Sequence, residues 1–173
     1  MTTPSNIAAT TLALQKLVQT AMPPSVEVTT LTPALAGKFT AKTRSLARVN
    51  LALLRISEST LVRNIPPARP GSGQLEPPVL PLDLHYLVTA YGTAGPAEEH
   101  SVERLLEAVL RVVGRHPILT PVELQAALPD STAPGNVSLA LESLPQSELL
   151  NLFANCRAQW RPALTYLARM TVA

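Results

Sequence analysis

Proline placement constrains this sequence more than any other feature. Five prolines (Pro66, Pro67, Pro70, Pro77 and Pro78) and two glycines (Gly71 and Gly73) fall within residues 59–80. Each proline lacks an N–H donor and fixes φ, so that stretch can be neither a helix nor a central strand. A structureless loop of about twenty residues inside a compact domain is more often functional than idle. Other prolines stand at boundaries. Pro23 and Pro24 stop an N-terminal helix, Pro96, Pro121 and Pro145 open later ones, and Pro129 begins a loop.

Between these marks the apolar spacing is legible. Residues 5–21 read as a helix, with Ser5 as N-cap and a stripe of Ile7, Leu14, Leu17, Val18 and Ala21. Residues 26–31 are β-branched and read as a strand, and residues 32–48 as a loop. Residues 49–57 read as a strand covered on both faces, with Val49, Leu51 and Leu53 on one and Ala52, Leu54 and Ile56 on the other. Residues 81–92 are the longest strand. Leu82, Leu84, Tyr86, Val88 and Ala90 share one face; Asp83, His85, Leu87, Thr89 and Tyr91 share the other.

Residues 96–115 read as an amphipathic helix with Val102, Leu105, Leu106, Val109 and Val113 inward. Thr120, Pro121 and Glu123 spell a capping box for a short helix to Leu128. A half-buried strand at 137–142, a helix from Pro145 through Cys156 and a strand at 164–172 complete the order α-β-β-β-α-α-β-α-β. Strands that follow one another without helices favour antiparallel or mixed pairing. The expected class is α+β, a sheet of about four to five strands flanked by helices, in a single domain over residues 1–173.

Composition sets outer bounds. At 173 residues and 46% hydrophobic, the chain can bury one sizeable core. Charged residues are 15%, where about 25% is usual. So little charge suggests surface covered by a partner, and an Ala/Pro-rich genome bias would account for it equally well. The lone Cys156 excludes an internal disulfide and a cysteine-based zinc cage. Neither a signal-peptide pattern nor a run of 18 apolar residues is visible, so no membrane insertion is expected. Residues 38–69 hold seven basic residues (Lys38, Lys42, Arg44, Arg48, Arg55, Arg63 and Arg69) against one acid, Glu58, which makes one region basic and the remainder mildly acidic.

No phosphate-cradling loop, nucleophile elbow or metalloprotease motif occurs. Asp83 and His85 share a strand face, where they could meet or hold a metal; the simpler reading is a structural hydrogen-bonded pair. His100 starts and His116 ends a helix, and His116 suits the negative helix terminus. Cys156 reads as a small buried apolar residue. Trp160, between Arg157 and Arg161, reads as core or core edge, or else as an interface anchor. The basic stretch 38–48 reads first as a solvated loop, then as a docking segment for an acidic protein. Only Phe39 is aromatic there and no nucleic-acid motif accompanies it.

Arg63-Asn64, the strand Leu82-Asp83-Leu84-His85-Tyr86-Leu87, then Thr89, Tyr91-Gly92 and Leu105-Leu106 form a recognisable pattern. With Leu14, Leu17 and Val18, Val49-Asn50-Leu51, Pro117-Ile118-Leu119-Thr120, the helix at 148–153, Leu164 and Tyr166, it covers nearly the whole chain. The sequence resembles the tail-terminator (cap) protein family of extracellular contractile injection systems, the phage-tail-like particles that include antifeeding prophages. The resemblance implies a non-enzymatic structural cap without cofactor. Six copies would form a homohexameric ring on the last layer of inner tube and sheath at the distal end. Itself, tube protein and sheath protein are the implied partners, with no small-molecule substrate. Assembly would be cytoplasmic, as part of a phage-tail-like particle that can be released. Many members look longer at the C-terminus, so this sequence resembles a minimal form.

Residues expected at contacts are Lys42, Arg44, Arg48, Arg63, Asn64, Asp83, His85, Tyr91 and Trp160. Sheath proteins of such particles interlock by strand exchange, so an exposed sheet edge here would suit β-augmentation. Two alternatives stand beside this reading: a basic nucleic-acid-binding or adaptor module, and a small metal-dependent enzyme using Asp83 and His85.

Overall fold

A computed structural model describes residues 6–38, 47–60, 80–93, 98–129, 131 and 135–172. The elements are α1 (Asn6–Thr20), β1 (Val26–Thr29), α2 (Pro33–Lys38), β2 (Ala47–Glu58), β3 (Leu80–Tyr91), α3 (Glu98–Arg115), β4 (Ile118–Leu119), α4 (Pro121–Ala127), β5 (Val137–Glu142), α5 (Gln146–Asn155) and β6 (Ala163–Val172). The strands form one six-stranded sheet in the order β1-β2-β3-β6-β5-β4. β1 and β2 are parallel and every other pair is antiparallel, so the sheet is mixed and the class is α+β. Two short elements exceed the sequence expectation. α2 occupies the start of the segment read as a loop, where the Ala36 N–H reaches the Thr32 carbonyl at 2.9 Å. β4 adds two residues beside β5.

One face of the sheet carries the main core. Leu84, Tyr86, Val88 and Ala90 of β3 are wholly buried, as the alternation along that strand predicts, and Val49, Leu51, Ala168 and Met170 lie beside them. α3 seats Val102, Leu105, Leu106, Val109 and Val113 in the same core. Each such side chain contributes about 1.5–3 kcal/mol on burial. α1 keeps Leu14 and Val18 of the expected stripe, but its buried face is rotated toward small residues. Ala9, Thr10, Ala13, Leu14 and Val18 are buried, while Ile7, Leu17 and Ala21 pack at the margin. The small residues bring the helix backbone close. The Thr10 hydroxyl bonds back to the Asn6 carbonyl at 2.9 Å and lies 3.8 Å from the Met170 sulfur.

The opposite face is covered in part by α5, whose Phe153 packs on Ala52 of β2 and Leu87 of β3. A register shift between Leu53 and Arg55 divides β2. Leu53 opposes Tyr86, and Arg55 opposes His85. The extra residue, Leu54, reverses the alternation beyond it. Ile56 therefore opposes Leu84 instead of sharing a face with Ala52, which corrects the regular alternation expected of that strand.

The β1 side of the sheet is closed in one part and open in another. α1 closes β1: Gln15 Nε2 donates to the Val28 carbonyl at 2.7 Å, and Gln19 Nε2 donates to the Val26 carbonyl at 3.0 Å. Gln19 Oε1 accepts the Val28 N–H at 3.1 Å. These amides occupy the backbone groups that another strand would use. β1 ends at Thr29 opposite Asn50, so residues 51–57 of β2 run on with no strand beside them on that side among the described residues.

Candidate interaction site

The α5-free part of the second sheet face carries a polar network. Its residues meet because of strand register: Arg55 opposes His85, Ser57 opposes Asp83, and Asp83 opposes Arg169. Arg169 grips Asp83 with Nε at 2.9 Å and Nη2 at 3.4 Å. His85 Nδ1 lies 3.0 and 3.1 Å from the two Glu142 carboxylate oxygens. Its Nε2 lies 3.0 Å from Arg55 Nη2 and 3.1 Å from Ser57 Oγ. A guanidinium can only donate, so Nε2 accepts; Nδ1 then carries the proton and donates to Glu142. The β2 bulge matters here, because a regular strand would put Arg55 on the same face as Leu53, in the core.

Asp83 and His85 thus do not converge. Each is engaged by a neighbouring strand, and among the described residues no group of three His, Cys, Asp or Glu side chains could hold a metal ion. Ser57, His85 and Glu142 do follow the hydrogen-bond order of a hydrolytic triad. The Arg55 guanidinium competes for the one Nε2 lone pair, which a base would need for the serine proton. Beside this network lies a groove of about 420 Å³ walled by Leu54, His85, Glu142, Asn151, Leu152 and Cys156. Cys156 caps α5 and is half-buried, less enclosed than the sequence suggests.

At the other end of this face, Tyr91 lies between two guanidinium groups, Arg48 at 4.7 Å and Arg161 at 3.8 Å from the ring centre. Arg161 Nη1 donates to the Ala90 carbonyl at 3.1 Å, and Arg48 Nη2 donates to the Ala36 carbonyl. Arg48 is 7% exposed. It ties β2 to α2 and is not the surface charge the basic stretch suggested: its paraffinic stem and planar head fit between Tyr91 and the helix end. Trp160 is 52% exposed, so it is no core residue.

Lys42, Arg44, Arg63 and Asn64 lie outside the described residues, as does most of the proline-rich segment. Arg55, Ser57, Glu142, Arg161 and Arg169 are not among the contact residues expected from the sequence. Each has an ordinary strand or loop context, and only register brings them to Asp83, His85 and Tyr91.

A second groove, of about 480 Å³, flanks the free stretch of β2. Ile7, Leu12, Leu31, Ala52 and Leu53 supply its apolar wall. Strand backbone with no strand beside it among the described residues, next to an apolar trough, is the kind of surface to which an extended peptide can add, with main-chain hydrogen bonds for affinity and the trough for side chains. No helix among the described residues is long and apolar enough to cross a membrane.

The six-stranded mixed sheet flanked by helices is a fold that this chain shares with solved terminators of contractile injection systems. The chain belongs to the Pvc16 N-terminal domain family, whose model matches residues 9–173. Two solved structures have the same fold. One is the cryo-EM structure of the sheath/tube terminator of the PVC extracellular contractile injection system in its extended state, with a TM-score of 0.69 at 15% identity. The other is the cryo-EM structure of the anti-feeding prophage cap, a tube terminating cap, with a TM-score of 0.67 at 16% identity. The matches cover 99% and 97% of this chain but 57% and 56% of those proteins, so the chain spans little more than half their length. A search among curated proteins finds no match.

Proposed function

We propose that this protein caps the tail of a contractile injection particle. Six copies close into a ring on the last layer of inner tube and sheath and end tail growth. The reading rests on one observation: nearly the whole chain superposes on a sheath/tube terminator, within a family match over residues 9–173. The role requires shape and contacts, not chemistry, which agrees with a His85 whose lone pair is held by Arg55. It also gives the sparse charge of the sequence a cause, since a ring subunit hides surface against two neighbours and the layer below.

Within this reading the free stretch of β2 and its apolar trough receive an extended sheath segment, and the basic segment with Lys42 and Arg44 meets an acidic tube or sheath face. The test is light scattering and electron microscopy of the purified protein, alone and with tube protein. Ring-shaped particles and decorated tube ends support the reading; a strict monomer that never decorates tube ends overturns it. Lys42→Glu with Arg44→Glu should lower cap occupancy and leave the thermal midpoint unchanged.

A further inference from the structure

α5 ends in an unusual way. The Ala158 N–H reaches the Phe153 carbonyl at 3.0 Å and the Arg157 N–H reaches the Ala154 carbonyl at 3.0 Å. This is the Schellman ending, in which the residue after the cap takes the left-handed conformation and is usually glycine. Here it is Arg157, with φ 51°. A long charged side chain is therefore held in a backbone state that glycine adopts without strain. Three residues on, Trp160 is 52% exposed, and Arg161 follows, anchored on Tyr91. No carboxylate lies within ion-pair distance of Arg157 or Arg161 among the described residues. An exposed tryptophan flanked by two arginines is the composition of an interface anchor.

The same chain carries a complement. On α3, Glu99, Glu103 and Glu107 recur every four residues and form one exposed stripe, continued by Arg111. Among the described residues Glu103 and Glu107 meet only local partners, His100 at 3.4 Å and Arg111, in exposed pairs of the kind that hold little energy. Leu110 adjoins the stripe and is 37% exposed, an apolar seat of the right kind for an indole. α3 packs on the main-core face of the sheet, whereas α5 and its tip lie on the other. A contact between features on opposite faces cannot be self-complementary. It is head-to-tail, the arrangement that generates rings or filaments and not closed dimers.

We infer that the tip formed by Arg157, Trp160 and Arg161 docks on the Glu99–Glu103–Glu107 stripe and Leu110 of a second copy of this chain. The inference rests on the proposed ring and names the surfaces that join its subunits. The full chain carries the test, as R157E, E103K, W160A and the double variant R157E/E103K. Self-association is read by sedimentation in solution and by copies per decorated tube end. R157E and E103K each lower association at least tenfold with an unchanged thermal midpoint, W160A lowers it likewise, and the double variant regains most of it. R157G raises the thermal midpoint by relieving the backbone while weakening association. If the wild type associates and neither reversal matters, or the double variant regains nothing, the inference is overturned and the cap reading stands. If only the tip variants lose tube ends while association persists, the tip faces the tail and the inference is likewise overturned. A wild type that neither associates nor decorates overturns the cap reading, and the inference with it.

Discussion

The side-chain amide of Asn50 stands beside Leu31 as a strand backbone would: Oδ1 accepts the Leu31 N–H at 2.9 Å, and Nδ2 donates to the Leu31 carbonyl at 2.9 Å. Oδ1 also accepts the Thr29 hydroxyl at 2.7 Å. Asn50 is wholly buried, so it carries the chain past the end of β1 without orphaning its polar groups, and the free stretch of β2 begins just beyond it.

Asn50→Ala strands those groups and should cost about 2–3 kcal/mol, given ~1–3 kcal/mol for each buried group left unsatisfied. Asn50→Asp keeps the acceptors but buries a charge and loses the donor to Leu31, so it should cost more. Urea midpoints give the comparison. A loss below about 0.5 kcal/mol for Asn50→Ala would show that water or rearranged backbone replaces the amide.

Tyr86 sits in the main core, its hydroxyl 2.8 Å from that of Thr11. Burial pushes its pKa up to about 12 from 10.0, against a smaller lowering by the Thr11 hydrogen bond. The folded chain therefore keeps a proton that the unfolded chain gives up above pH 10. Stability should be unaffected by this group below that point and fall between about pH 10 and 12. Tyr86→Phe should flatten that alkaline loss while costing about 1 kcal/mol at neutral pH for the lost hydrogen bond. Unfolding curves across that window, with tyrosinate absorbance, decide it; an equal alkaline slope in both proteins would refute the assignment to Tyr86.

Much of the fold was legible from local signals. The two faces of β3 follow from strict alternation, the buried face of α3 from its 3.6-residue period, and the start of α4 from Thr120-Pro121 and Glu123. What escaped depends on register or on distance along the chain. The extra residue at Leu54 leaves no mark in a run that is apolar throughout, yet it decides where Arg55 points. His85 and Glu142 lie 57 positions apart and meet only because β6 separates their strands. Arg48 reads as one more charge in a basic stretch, and only Tyr91 and the end of α2 show it to be interior. The α1 stripe is only half legible: Leu14 and Val18 are buried as their spacing predicts, but Ala9 and Ala13 weigh less than Ile7 and Leu17 in any hydrophobicity pattern, although small residues are what close helix–sheet packing selects.

The α4 capping box adds an acid-sensitive joint. The Thr120 hydroxyl accepts the Glu123 N–H at 3.4 Å, and Glu123 Oε2 accepts the Thr120 N–H at 2.7 Å. His116 Nε2 lies 2.7 Å from Glu123 Oε1. Desolvation works against the Glu123 charge, but the Thr120 hydrogen bonds and the His116 charge together outweigh it and hold the carboxyl below its ordinary 4.5. A depressed carboxylate stabilises the fold above its unfolded pKa, and that contribution is lost as pH falls through the folded value. Glu123→Gln should therefore make the acid limb shallower, and Thr120→Ala should cost about 1 kcal/mol at neutral pH. Acid titrations followed by circular dichroism would detect both, and an unchanged acid limb in Glu123→Gln would rule out this joint.

Phe153 is the one buried residue of α5 and the centre of the smaller core with Ala52 and Leu87. Truncation of a buried phenylalanine costs about 3–5 kcal/mol, and the lower figure applies where the element can move to close the void. α5 can move, because Leu149 and Leu152 are only partly buried and the rest of the helix is exposed. Phe153→Ala should thus cost about 3 kcal/mol, and Phe153→Leu about 1. The loss should be local as well as global: amides of α5 should exchange much faster, while those of β3 lose only the shared stability. The wall of the groove beside His85 and the tip that follows α5 would loosen together, so Phe153→Ala should also impair assembly. Hydrogen exchange with mass readout separates the two levels. Equal acceleration across α5 and β3 would show that the smaller core melts with the larger one, and that α5 has no independent hold on the sheet.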